Sequence, residues 1–126
     1  MRITASAVSL TVEDVTASAA FLQRHFGYTE EMSADGFVSL KHPGAGVNVV
    51  YLRRGLEVLP ESHRDRIADG VILAFVVADV AGEERRLRGE GVEATLPLRE
   101  EPWGEKLFQV TDPNGVVIEL VEWVKQ

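Results

Sequence analysis

The chain repeats itself. An offset of 65 residues lays Val8 on Leu73, Leu10 on Phe75, Val12 on Val77 and Asp14 on Asp79. A recurrence of this kind in so short a chain means one supersecondary unit built twice, which narrows the architecture before any single residue is interpreted. In the first copy, Val8-Ser9-Leu10-Thr11-Val12 alternates as a half-buried strand does, and Glu13-Asp14 then leads into a helix ending near Gly27. Val15, Ala19, Leu22 and Phe26 recur at helical spacing as its apolar face. In the second copy, Leu73 to Val77 is the strand, Asp79 the N-cap, and Val80 to Arg88 a helix stopped by Gly89 and Gly91.

After each helix the pattern changes to short strands and turns. Gly36 to Lys41 and Val47 to Leu52 form a hairpin around His42-Pro43-Gly44-Ala45-Gly46. Lys106 to Thr111 and Val116 to Trp123 form its counterpart around Asp112-Pro113-Asn114-Gly115, where Pro presets its own dihedral and Asn-Gly accepts positive ones. Tyr28 to Ser33 and Val92 to Leu98 add one strand to each copy. The expected fold is α+β, with two tandem βαβββ modules at 4–52 and 71–124 in a single domain over 1–126. The polar segment 53–70, which carries Pro60, is expected as a linker with a short helix from Glu61 to Ala68.

Composition limits function more than fold. Of 126 residues, 45% are apolar and 26% charged, the balance of a globular protein. No apolar run reaches the roughly 20 residues of a membrane helix, and the first residues do not read as a signal peptide, so a cytoplasmic location is expected and no membrane partner. The absence of cysteine excludes disulfides and thiolate chemistry. A net charge of -7 counts against a phosphate-binding, nucleic-acid role, and no nucleic-acid partner is expected. Residues 70–126 hold eleven acids against six Lys/Arg, whereas 1–69 hold nine against seven. That asymmetry either serves solubility or favours a cationic ligand.

Two strings identify a family resemblance. Val8 to Asp14 with Ser18 and Phe21, and Glu101-Pro102-Trp103-Gly104-Glu105-Lys106-Leu107-Phe108 followed by Asp112-Pro113-Asn114-Gly115 and Ile118-Glu119-Leu120, resemble the opening and closing signatures of the glyoxalase/bleomycin-resistance proteins of the vicinal oxygen chelate superfamily. The resemblance implies modules curled into a cup-shaped mixed sheet with helices outside. It also implies a metal on the cup wall in many members. The histidine positions of those members fall on Ala7 and Ile72, and the first-module acid position falls near Val49, with no carboxylate from Gly44 to Leu56. Only Glu119 remains, and a catalytic divalent ion normally takes three or more protein ligands. No metal and no cofactor are therefore expected.

By strand alternation Ser9 and Thr11 share the face of Ala7, and Val117, Val121 and Trp123 that of Glu119. The large groups expected to reach a ligand are Phe37, Tyr51, Trp103, Phe108 and Trp123. Trp103 stands out, because an aromatic between Pro102 and Gly104 suits closure over a flat ligand, with Glu105 beside it to meet a cation. Three functions fit. The first is a metal-independent homodimer that sequesters an aromatic or cationic antibiotic. The second is a lyase, isomerase or dioxygenase-like enzyme that uses Glu119 with an unusual or absent metal site. The third is an interaction module with a vacant cup.

Overall fold

The computed structural model describes residues 1–124. Strand β1 (Ala7–Val12) leads into helix α1 (Val15–Phe26), followed by β2 (Thr29–Ala34), β3 (Phe37–Lys41) and β4 (Asn48–Arg53). The plan then recurs as β5 (Ile72–Val76), α2 (Val80–Gly89), β6 (Leu96–Glu100), β7 (Glu105–Thr111) and β8 (Val117–Trp123). The two four-stranded sheets have the orders β1-β4-β3-β2 and β5-β8-β7-β6. Each opening strand pairs in parallel with the last strand of its own module, and the other pairs are antiparallel.

Local chemistry sets the element ends. The Asp14 carboxylate accepts from the Ala17 amide at 3.0 Å and the Asp79 carboxylate from that of Gly82 at 3.1 Å, so both helices start on the acid that the repeat superposes. Gly27 closes α1 at φ 72, a left-handed conformation that a Cβ would strain. In the closing hairpin one Asp112 carboxylate oxygen accepts from the amides of both Asn114 and Val116, so the predicted turn is fastened by its own first residue.

The core of each unit lies between its helix and one face of its sheet. In the first, Leu10, Val12, Leu40, Val49 and Tyr51 are buried with Val15, Ala19 and Leu22 of α1. In the second, Phe108, Val110, Ile118 and Leu120 are buried with Val80 and Leu87 of α2. Glu122 marks the helix side of the second sheet, because its carboxylate accepts from the Val80 amide at the start of α2.

The segment read as a linker belongs by its contacts to the first unit, and the chain divides at Asp69/Gly70. Arg54 pairs with Glu13 at 2.6 Å and with Asp65 at 2.8 Å, and the Ala68 amide donates to the Thr11 carbonyl. The helix expected over Glu61 to Ala68 is only a 3-10 turn at Glu61–His63. The side chain of Arg64 donates to the carbonyls of Leu59 and Glu57, and that engagement holds the segment in irregular form. No helix among the described residues is long and apolar enough to cross a membrane.

Candidate functional site

Each sheet has a second face, opposite its helix, and register decides which side chains reach it. Residues directly opposite in neighbouring strands share a face. In the second unit Ala74 of β5 lies opposite Glu119 of β8, which lies opposite Gln109 of β7. Val117, Val121 and Trp123 flank Glu119 on the same face, with Leu107, Glu105 and Thr111 across from them. Ile72 and Val76 extend this face along β5 and are 52% and 68% exposed.

Glu119 and Gln109 are joined. The amide nitrogen of Gln109 donates to Glu119 Oε1 at 2.9 Å, and both side chains are half-buried. Behind them, the Gln109 carbonyl accepts from the Thr95 amide at 2.8 Å, so β7 is held on both sides at this point. Arg99, opposite Leu107 on the same face, spends its guanidinium on Glu101 at 2.7 Å. Among the described residues no ion pair reaches Glu119.

A second cluster stands at the other end of the strands. Trp103 is 63% exposed, and its indole nitrogen donates to Glu105 Oε1 at 3.1 Å. Glu105 lies directly opposite Trp123, itself 47% exposed. Trp103, Glu105 and Trp123 thus gather at one sheet end. Glu105 and Gln109 are four residues apart on β7, so this cluster is roughly 13 Å from the Glu119 pair at about 3.3 Å per residue. Glu105, expected to meet a ligand's charge, is already engaged by the indole.

In the first unit Ser9 lies opposite Val50, which lies opposite Ser39, while Thr11, Leu52 and Phe37 form the adjacent row. Ser9, Thr11 and Phe37 therefore share one face. Tyr51 and Phe108 do not join the site residues. Both are fully buried, and their register partners Leu10 and Leu120 lie on the helix side, so these rings fill the two cores instead of reaching a ligand.

The family's metal positions can now be tested against this register. Ala7 and Ile72 lie on the open faces, and the residue that pairs as Glu119 does is Val50, one place beyond the expected Val49. The set Ala7, Val50, Ile72 and Glu119 has one coordinating side chain and does not fit a divalent ion. Among the described residues no three His, Asp or Glu side chains come together elsewhere. His25 packs edge-on to Phe21 in α1, His42 lies against Tyr28, and His63 contacts Ser62.

Two groups escaped the reading of the sequence. Gln109 was legible as the one polar residue inside Leu107-Phe108-Gln109-Val110, at the parity of Thr111. Glu31 was not, because it reaches Ser39 Oγ at 3.3 Å from an irregularity in β2 between Glu30 and Met32 that nothing in the local sequence announces.

Known proteins can be set beside this geometry. The chain matches the model of the Glyoxalase/Bleomycin resistance protein/Dioxygenase superfamily over residues 4–120. Among solved structures it is similar to a glyoxalase/bleomycin resistance protein/dioxygenase from Nocardioides, with 23% identity, a TM-score of 0.79 and coverage of 99% of this chain and 86% of that one. It is also similar to TnmS3, an antibiotic binding protein from Streptomyces sp. CB03234, with 22% identity, a TM-score of 0.73 and coverage of 97% and 98%. A third is lactoylglutathione lyase from Agrobacterium tumefaciens, with 17% identity, a TM-score of 0.75 and coverage of 96% and 94%. Among curated proteins none matches the chain. Identities this low carry the fold alone. With the family model spanning nearly its whole length, the chain belongs to the glyoxalase/bleomycin resistance protein/dioxygenase superfamily.

Proposed function

We propose that this protein is a metal-independent small-molecule binding protein that sequesters an aromatic cation of the antibiotic type and does not convert it. The observation that carries this reading is Glu119, a half-buried carboxylate held by Gln109 among Ala74, Val117, Val121 and Leu107, without an ion pair among the described residues. Such a group favours a cation with an apolar body, since the charge meets the acid while the rings cover the exposed Ile72 and Val76. The similarity in fold to an antibiotic binding protein supports the same class. Trp103 and Trp123 are a second aromatic surface for a long ligand, one that spans the roughly 13 Å of β7 between them and Glu119. The protein works as a homodimer, because each sheet ends in edge strands that pairing or cover would protect.

Fluorescence quenching with bleomycin-type, quinoxaline and mitomycin-type compounds tests this, accompanied by light scattering, elemental analysis and mass spectrometry of the recovered compound. Glu119→Gln weakens binding about ten- to hundredfold, the worth of a hydrogen bond to a charged group. Trp103→Ala weakens a long ligand about tenfold. Absence of quenching by every compound, or equal affinity in Glu119→Gln, overturns the proposal. A strictly monomeric mass removes the dimer.

A second reading is a lyase, isomerase or dioxygenase-like enzyme in which Glu119 moves a proton. It is favoured by the carboxylate that Gln109 fixes beside Ala74, Val117 and Val121. Recovery of an altered compound, abolished in Glu119→Gln, would decide for it.

A further inference from the structure

We infer that Gln109 is the positioning residue for Glu119, and that the pair presents two hydrogen-bond acceptors to a planar cation with two adjacent N–H donors, an amidinium or guanidinium. The inference rests on the binding function proposed above and names its ligand class. A carboxylate only accepts, so the amide nitrogen of Gln109 must be the atom that faces Glu119 Oε1, as the 2.9 Å contact has it. That fixes the carboxamide the other way as well. Its carbonyl oxygen remains an acceptor, as does Glu119 Oε2, and no other side-chain hydrogen bond engages either residue among the described ones.

The support beneath the pair is rigid. Gln109 and Glu119 lie directly opposite on β7 and β8, inside a ladder that runs unbroken from Glu105↔Trp123 to Thr111↔Val117. Sites carried on strands hold their geometry more closely than sites on loops. The charged neighbours on this face do not compete for the carboxylate. Arg99 is held by Glu101, Glu105 by the Trp103 indole, and Lys106 and Glu122 alternate to the helix side. A cation that carries two N–H groups can therefore donate to Glu119 Oε2 and to the Gln109 carbonyl together, whereas a quaternary ammonium of equal charge has no donor and gains only the Coulombic part.

The test compares 2-naphthamidine with 2-naphthyltrimethylammonium, probes with the same ring system and the same charge. Wild type is expected to bind the amidine at least about a hundredfold more tightly, the worth of two charge-assisted hydrogen bonds. Gln109→Met, which keeps the length of the side chain and removes both polar groups, should cut that preference about tenfold by weakening the amidine, because the bond to Glu119 Oε2 remains. Gln109→Asn, which keeps the amide on a shorter arm, should restore part of the preference. An undiminished preference in Gln109→Met overturns the inference and leaves the binding function intact. Failure of both probes to bind wild type overturns the binding function and the ligand class with it. A readout independent of ligand and of the variants' folding is the side-chain amide resonance of Gln109 in wild type. Its exchange with solvent should be slowed by the bond to Glu119, and exchange at the rate of a free carboxamide would show that the contact does not hold in solution.

Discussion

The two modules have the same plan and place their acids on different strands. In the second, β8 carries Glu119, and β7 answers with Gln109 from the opposite register position. In the first, the position that pairs like Glu119 is Val50, and Ser39 of β3, opposite it, takes its carboxylate from Glu31 on the far side in β2. The middle strand supplies the hydrogen-bonding group in both. The opening strands differ as well, with Ala7, Ser9 and Thr11 on the open face of the first module and the larger, exposed Ile72 and Val76 on that of the second. Duplication settled which positions look outward from each sheet. It did not settle which of them bears charge, and the second module alone retains an acid at the family's ligand position.

The cores carry the heaviest losses. Phe108→Ala removes a ring buried between the second sheet and α2 and is expected to cost about 3 to 5 kcal/mol, read as a lower urea midpoint at unchanged slope. A loss below about 1 kcal/mol would mean that the ring is not core and would return Phe108 to the candidate ligand contacts. The matched N-caps test whether the modules are equivalent where their sequences superpose. Asp14→Ala and Asp79→Ala should each cost about 1 kcal/mol, because each deletes one acceptor for one helix-start amide. Unequal losses in thermal denaturation would show that the repeat is symmetric in sequence alone.

The smallest effect belongs to the first module alone. Asp35 and Gly36 form the two-residue turn between β2 and β3, with Gly36 at φ 74, and the Arg53 guanidinium lies over that turn and binds Asp35 at 3.0 Å. Hydrogen bonding to Arg53, with its charge, holds the Asp35 carboxyl below the ordinary carboxylate range. The folded-state value is thus the lower one. Its contribution is complete above the unfolded value, near 4, and is lost as pH falls through the depressed folded value. Asp35→Asn should therefore flatten the acid limb of the stability profile and change little at neutrality, because the pair is exposed. A steeper acid limb in the variant would reverse that sign.

Much of this architecture was legible before any coordinates, and the boundary of legibility is physical. Alternation and capping are local, so β1, α1, β5, α2 and the Asp112 turn lie close to where Val8, Asp14, Leu73, Asp79 and Pro113 place them. Register is not local. The offset that is 65 at Ala7 and Ile72 has become 69 at Asn48 and Val117, and the intervening loops hide that drift. Parity alone decided Tyr51 and Phe108, since a one-residue difference in register sends a side chain to the opposite face. The pairing of Glu105 was hidden for another reason. Its contact with Trp103, two residues away, depends on the loop conformation at Glu101 to Gly104, which no periodicity reports.

The parallel pairing of each opening strand also bears on how the chain is made. Ala7 pairs with Asn48 and Ile72 with Val117, separations of 41 and 45 residues, and the entropic cost of closing those two loops differs by less than about 0.1 kcal/mol. Hairpins within β2-β3-β4 and β6-β7-β8 close over far shorter spans and so have the faster contacts available. During translation at roughly 5 to 20 residues per second, β1 emerges from the ribosome about 2 to 8 s ahead of its partner. For that interval Val8, Leu10 and Val12 form an apolar edge without a neighbour, and β5 repeats the exposure with Leu73 and Phe75. In both modules, the strand synthesised first waits for the one synthesised last.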